Sequence, residues 1–174
     1  MRKYFVLFAV LFLVSVTACK KDEKTKPAKP YSGISLEEYL VDNYPDLMPI
    51  DTTDVYVIIT EEGNGERAEV GDELYCYYKG KFLDGTPFDT LRQKPADEDL
   101  PDLSGRTPYS FYYQTEVNRM SHIVGLYIGF GELKRGSKAI FLIPEHRAYG
   151  KGGRGSIPPY APLMFEVELI DDRR

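Results

Sequence analysis

Residues 121–133 read SHIVGLYIGFGEL, and the way this stretch is taken decides the fold. Ile123, Leu126, Tyr127 and Phe130 recur at helical spacing, which predicts a helix over 121–133. Gly125 and Gly129 lower its intrinsic propensity but allow a neighbour to approach closely. A helix so apolar all round does not belong on a surface, so a sheet must wrap it. Lys134, Arg135 and Gly136 follow, and predict a basic last turn with a glycine stop.

Working outward, the pattern changes to strands. Residues 54–60, DVYVIIT, are β-branched and bounded by the turn-forming EEGNGE. Residues 73–83 place Leu74, Cys76 and Tyr78 on one face, and residues 109–115, 137–144 and 163–171 complete the set. Asp84-Gly85 reverses the chain, after which TPFDT (86–90) leads into a loop. Strands, one short buried helix, then more strands imply an α+β domain built on an antiparallel sheet. Ahead of it, Ser35 and Glu38 have capping-box spacing, and Leu36, Tyr39 and Leu40 share a helical face. That predicts a short helix near 36–43 within an N-terminal helical extension, residues 31–53. The extension either packs on the domain or serves as an arm for a partner or a second copy.

The ends carry targeting information. Arg2 and Lys3 precede an apolar run, 4–14, and Thr17-Ala18 lead to Cys19. This predicts a secretory signal over 1–18, too short to span a bilayer stably. The stretch VTAC resembles a bacterial lipobox, with Cys19 lipidated as the mature N-terminus. The alternative is an ordinary signal peptide with a cysteine nearby, but Cys76 is the one other cysteine with which Cys19 could pair. Residues 20–30, KKDEKTKPAKP, hold nothing apolar larger than alanine, so 19–30 is a disordered tether. Within it, Lys21-Asp22-Glu23 resembles lipoprotein surface-export signals of Bacteroidetes, or is a plain charged linker. The expected location is the cell envelope, lipid-anchored to the outer membrane on its periplasmic or surface side, with membrane contact through the N-terminal lipid alone.

Several function classes can be set aside. Without Arg2 and Lys3 the chain has 20 basic against 27 acidic residues, and an acidic domain with no basic stripe argues against nucleic acid as a partner. GKGGRGS (150–156) matches the spacing of a dinucleotide-binding fingerprint, but that motif must open a helix, and IPPYAP follows instead. In the long loop 92–108, DEDLPD puts Pro101 at a ligand position of a calcium pattern, so the loop is read as solvated. His122 and His146 are too far apart and unaccompanied to propose a metal site, and no cofactor is expected.

Four stretches in order then carry a resemblance: YYKGKFLDGTPFDT (77–90), IVGLYIGFGELKRGSKAIFLIP (123–144), AYGKGGRGSIPP (148–159) and LMFEVELID (163–171). They resemble the FKBP-type peptidyl-prolyl isomerases, the macrolide-binding immunophilins, from about Tyr56 onward. The resemblance implies an FKBP-like domain over 54–174, a twisted antiparallel half-barrel sheet wrapped around one short helix. It makes GKGGRGS a flap over the pocket rather than a phosphate loop. It also implies isomerisation of X-Pro bonds in exported polypeptides, by desolvation and hydrogen bonding, with a macrolide as a further ligand.

The residue roles follow from the same resemblance. Tyr78, Phe88, Tyr109, Ile157 and Phe165 would wall the pocket, with Ile123 at the helix entrance. Tyr149 would donate its hydroxyl to a substrate carbonyl, and the backbone N–H of Ile123 would bind another. Asp89 would be a buried-edge carboxylate that polarises the site and orients Tyr78. Taken singly, each aromatic could be ordinary core and Asp89 a turn residue; their joint order favours a pocket. Three departures stand out. The chain has no tryptophan, and Leu126 occupies the position of the usual pocket-floor tryptophan. His122 replaces a commonly apolar residue at the mouth, and loop 92–108 is longer than usual, leaving Arg92 an uncertain partner for Asp89. These departures motivate an alternative, a binding module that holds proline-containing segments without useful turnover. A carbohydrate-binding lipoprotein is a third reading, against which the missing tryptophan counts.

Overall fold

Alternation along six strands settles what each face of the sheet carries. In the computed structural model, residues 30–90, 108–113 and 123–170 are described. The signal segment, Cys19 and nearly all of the tether lie outside them, as do residues 92–107 of the long loop, Arg92 among them, and His122. The elements are α1 (Leu36–Asn43), β1 (Tyr56–Glu61), β2 (Glu73–Lys81), β3 (Pro87–Thr90), β4 (Tyr109–Tyr112), α2 (Val124–Gly131), β5 (Lys138–Ile143) and β6 (Leu163–Leu169). All strand pairs are antiparallel, in the order β1-β5-β6-β2-β3, and β4 also pairs with β2. This is the α+β architecture expected from the sequence.

The inner face packs on α2. Leu74 and Cys76 from β2, Phe141 and Ile143 from β5, and Phe165 and Val167 from β6 are all buried in one core with Tyr127 and Phe130 of the helix. The two helix glycines work as anticipated. A β-carbon on Gly129 would come within 2.6 Å of the Phe141 ring, and one on Gly125 would collide with Ile143. Burial pushes the Cys76 thiol up to about 12, so it behaves as a core residue.

The helix is shorter than its pattern suggested. It ends at Gly131, with no basic residue in its last turn. Residues 134–137 are instead committed to the preceding turn: Gly65 N–H donates to Arg135 O at 3.1 Å, and Arg135 N–H to Glu66 O at 3.0 Å. Gly136, with φ +86°, belongs to the reversal into β5 rather than to a helix cap. The second correction is TPFDT, which is no loop approach: Pro87–Thr90 is a strand hairpinned onto β2. The turn that fixes it has Gly85 at φ +87°, Phe82 N–H donating to Thr86 O at 2.9 Å, and Thr86 N–H donating to Asp84 Oδ1 at 2.9 Å.

The outer face is covered as well. Ile34, Leu36, Tyr39, Leu40 and Tyr44 pack on Leu83, Leu142 and Met164, so the N-terminal extension lies on the sheet. Its helix starts where the capping spacing placed it, with Glu38 N–H donating to Ser35 Oγ at 3.1 Å. Ahead of α1, Tyr31 N–H donates to Pro159 O at 2.9 Å, and its ring stacks on Phe82 at 5.9 Å and 24°. The Tyr31 hydroxyl is buried with no hydrogen-bond partner among the described residues. A buried hydroxyl without a partner costs stability. Tyr31→Phe is therefore expected to leave unfolding free energy unchanged or raise it by up to about 1 kcal/mol, measured by denaturant melts. A loss of that size would reveal an acceptor.

Candidate functional site

The site forms where one edge of β2 divides between two partners. β4 pairs with β2 from Glu73 to Cys76, and β3 pairs from Lys79 to Lys81. Between these runs stands Tyr78, flanked by one residue from each neighbour. Its hydroxyl donates to Asp89 Oδ2 at 3.1 Å on β3. Its ring meets Tyr109 of β4 edge-on, at 6.0 Å and 89°. Behind it lies Phe165 of β6, at 5.9 Å and 61°. Burial first, and then the charge of Asp89 and its hydrogen bond, push the Tyr78 phenol well above its ordinary value. It is a fixed neutral donor.

Phe88 and Asp89 are neighbours in sequence and should point to opposite faces of a regular strand. A bulge brings them together. Gly80 pairs with Asp89 and Lys81 with Pro87, which leaves Phe88 as the extra residue on β3. Phe88 thereby reaches Phe165 edge-on at 5.6 Å while Asp89 reaches Tyr78. Gly80 makes room for this, since a β-carbon there would stand 2.6 Å from the Phe88 ring and 3.1 Å from Phe165. Sequence reading missed Gly80 as a site residue, although a glycine inside a strand is a cue for close approach. It also missed Phe82, whose ring lies 5.2 Å from Phe88 and links it to Tyr31. Tyr31, with Tyr39 and Tyr44, is legible in the sequence as aromatic surface of the N-terminal extension, but its contact with Phe82 has no local signature.

The far wall comes from the glycine-rich stretch. Gly150–Gly152 forms a single 3₁₀ turn, and Arg154 then pairs with Ile157 as an antiparallel bridge, so no helix follows the fingerprint. Gly153, at φ +59°, lies so close to the Ile157 carbonyl that any side chain would collide with it. This tight return holds Ile157, 7% exposed, against the core that also includes Ile123 at 4% and Phe165 at 2%. Tyr78, Phe88, Tyr109, Leu126 and Tyr149 are half-buried around the same core. Burial pushes the Tyr149 phenol up; the Arg154 guanidinium pulls it the other way, and Asp89 adds to the rise. Ile123 is the N-cap of α2, where a backbone N–H has no acceptor within the helix. Leu126 lies in the first turn of α2.

Eight of the residues singled out in the sequence, Tyr78, Phe88, Tyr109, Ile123, Leu126, Tyr149, Ile157 and Phe165, belong to one apolar cluster, and Asp89 is tied to it through Tyr78. One expectation needs correcting. Asp89 is exposed, not a buried-edge carboxylate, because β3 ends the sheet and no described element covers it. The basin offers aromatic walls, phenol donors held neutral and one oriented carboxylate.

Comparison with known proteins agrees with this fold. A family model for FKBP-type peptidyl-prolyl cis-trans isomerase matches residues 64–170. The chain is 33% identical over 118 residues to the FKBP-type peptidyl-prolyl cis-trans isomerase FkpA of Escherichia coli, covering 67% of this chain and 37% of that protein. It is 36% identical over 111 residues to the FK506-binding protein of Neisseria meningitidis, covering 63% of this chain and 88% of the relative. The crystal structure of FkpA from Escherichia coli superposes with a TM-score of 0.60 at 29% identity, over 78% of this chain and 56% of that one. The chain therefore spans little more than a third of FkpA's sequence, while it covers most of the Neisseria protein. With the matched segment spanning every strand but β1 and all of the basin, the chain belongs to the FKBP-type peptidyl-prolyl cis-trans isomerase family.

Proposed function

We propose that this protein is a peptidyl-prolyl cis-trans isomerase that acts on X-Pro bonds of exported polypeptides. One observation carries the reading: Tyr78, locked to Asp89 at 3.1 Å, stands edge-on to both Tyr109 and Phe165 in an otherwise apolar basin. Rotation of an X-Pro amide crosses a barrier of about 18–20 kcal/mol, set by loss of C–N resonance. The twisted amide carries less charge separation than the planar one, so a pocket that strips water from it favours the transition state over the ground state. In this reading the proline ring lies against Phe88, Tyr109, Ile157 and Phe165, with Leu126 as floor. Tyr149 donates to one substrate carbonyl and the Ile123 N–H to another. Asp89 orients Tyr78 and polarises the basin. No bond is made or broken and no proton changes owner, so neutral phenols suit the task.

The wider setting belongs to the same proposal. Cys19 carries the lipid that holds the domain at the outer membrane, and exported proline-containing polypeptides are its substrates. A macrolide of the FK506 class, the ligand in the name of the Neisseria relative, occupies the same basin. The test is exchange spectroscopy of an X-Pro peptide with the purified full-length protein, comparing wild type with Asp89→Ala and Tyr149→Phe. Each variant is expected to lose about tenfold in kcat/KM, the scale of one positioned polar group acting on a weakly charged transition state. If both keep wild-type rates, the assigned roles are wrong. A folded wild type that binds the peptide without accelerating exchange would make the domain a binding module, with Leu126 in place of a broad ring as the physical reason.

A further inference from the structure

We propose that Arg154 is a specificity-determining residue, which selects polypeptides carrying a glutamate or aspartate beside the proline. The proposal deepens the isomerase reading and rests on it for its kinetic readout. The backbone of Arg154 is held in a tight turn with Ile157, a pocket wall in that reading. Its N–H donates to Ile157 O at 2.8 Å, and Ile157 N–H donates to Arg154 O at 2.9 Å, so its backbone is tied on both sides to a pocket wall. Its guanidinium carbon stands 5.5 Å from the centre of the Tyr149 ring. A cation over a ring face is attracted by the ring's quadrupole, and the guanidinium keeps a fork of N–H donors that can bind a carboxylate.

Among the described residues those donors have no acidic partner. Every ion pair among the described residues uses another cation: Arg67, Lys81, Lys134, Arg135, Lys138 or His146. The carboxylate of the site, Asp89, is engaged by the Tyr78 hydroxyl. Arg154 is exposed, so a charge on a bound segment can reach it without being buried. The basin thus has its negative group on β3 and its positive group on the glycine-rich loop, and a bound segment crossing it meets a fork shaped for a carboxylate. The Tyr149 ring biases the guanidinium toward this side of the loop, which lowers the ordering cost of pairing. The chain as a whole has a formal charge of −5, so its overall field does not attract acidic segments; a preference for them would be local to Arg154.

The experiment uses the full-length protein and two peptide pairs in which Glu or its neutral isostere Gln stands directly before or directly after the proline. Exchange spectroscopy gives kcat/KM and calorimetry gives Kd for wild type, Arg154→Gln and Arg154→Glu. In at least one pair, wild type is expected to favour Glu over Gln by about three- to fivefold, the range of an exposed but oriented charge pair. Arg154→Gln should bring that ratio to about one, and Arg154→Glu should invert it. A ratio that both variants leave unchanged, or a wild type indifferent to Glu in both positions, overturns the assignment. Should Gln peptides bind without accelerated exchange, the isomerase reading fails, and the Kd ratios still decide the role of Arg154.

Discussion

Replacing Gly80 with alanine is expected to lower kcat/KM for X-Pro isomerisation by about a hundredfold in a protein that still folds. The new methyl would start 2.6 Å from the Phe88 ring and 3.1 Å from Phe165, well inside contact distance. Phe88 cannot retreat freely, because Phe82 packs on it at 5.2 Å and Phe165 at 5.6 Å. It must therefore swing into the basin or pull the bulge out of register. Either movement is of the order of an ångström at the surface meant to hold the proline ring, a displacement that can cost about a hundredfold in rate. The accompanying loss of stability is about 1–3 kcal/mol, as for other overpacked sites. Peptide exchange rates and a thermal melt on the same sample separate the two effects. Near wild-type turnover would mean that Phe88 is a core aromatic and no wall.

The largest stability effect is expected at Phe141. Its side chain is fully buried, edge-on to Phe130 at 5.3 Å and 86°, and its ring fills the hollow over Gly129. A glycine on the helix and a large ring on the strand form a lock that neither part makes alone. Phe141→Ala empties it, and collapse is hindered because the helix already lies against β5 at Gly125. The expected cost is about 3–5 kcal/mol, from lost transfer energy and from the cavity left behind. At about 2–4 °C per kcal/mol for a domain of this size, the melting temperature should fall by about 6–20 °C. A drop of only a few degrees would show that α2 can settle into the gap.

Much of this was legible in the chain because two periods dominate it. The 3.6 spacing of Ile123, Tyr127 and Phe130 marked the buried helix, and the alternation in Leu163–Leu169 marked a strand buried on one face. The basin aromatics could be named from the order of FD, AYG, IPP and FEVEL. What escaped was set by tertiary pairing. The lysine-arginine-glycine run after α2 has the composition of a helix stop, yet its backbone is paired with residues 65–66. PFDT reads as a loop approach because a four-residue strand has no period of its own, and only its pairing with β2 makes it one. The bulge at Phe88 is a property of two strands together. The contact of Tyr31 with Phe82, 51 positions later, was beyond the reach of any local pattern.

The position of β6 has a consequence for the order in which this protein can be assembled. It is the last of the six strands in the chain, yet it stands between β5 and β2, and through them joins β1 to β3 and β4. Without Leu163–Leu169 the ladders left are β1 with β5, and β2 with β3 and β4, with no ladder between the two sets. Pairing β2 with β6 also closes a long stretch of chain, which slows folding relative to local pairing. A ribosome or a translocation pore delivering this sequence from its N-terminus therefore handles a chain with an unfinished sheet until nearly all of the domain has passed. The central strand is thus the piece whose arrival makes a continuous sheet possible.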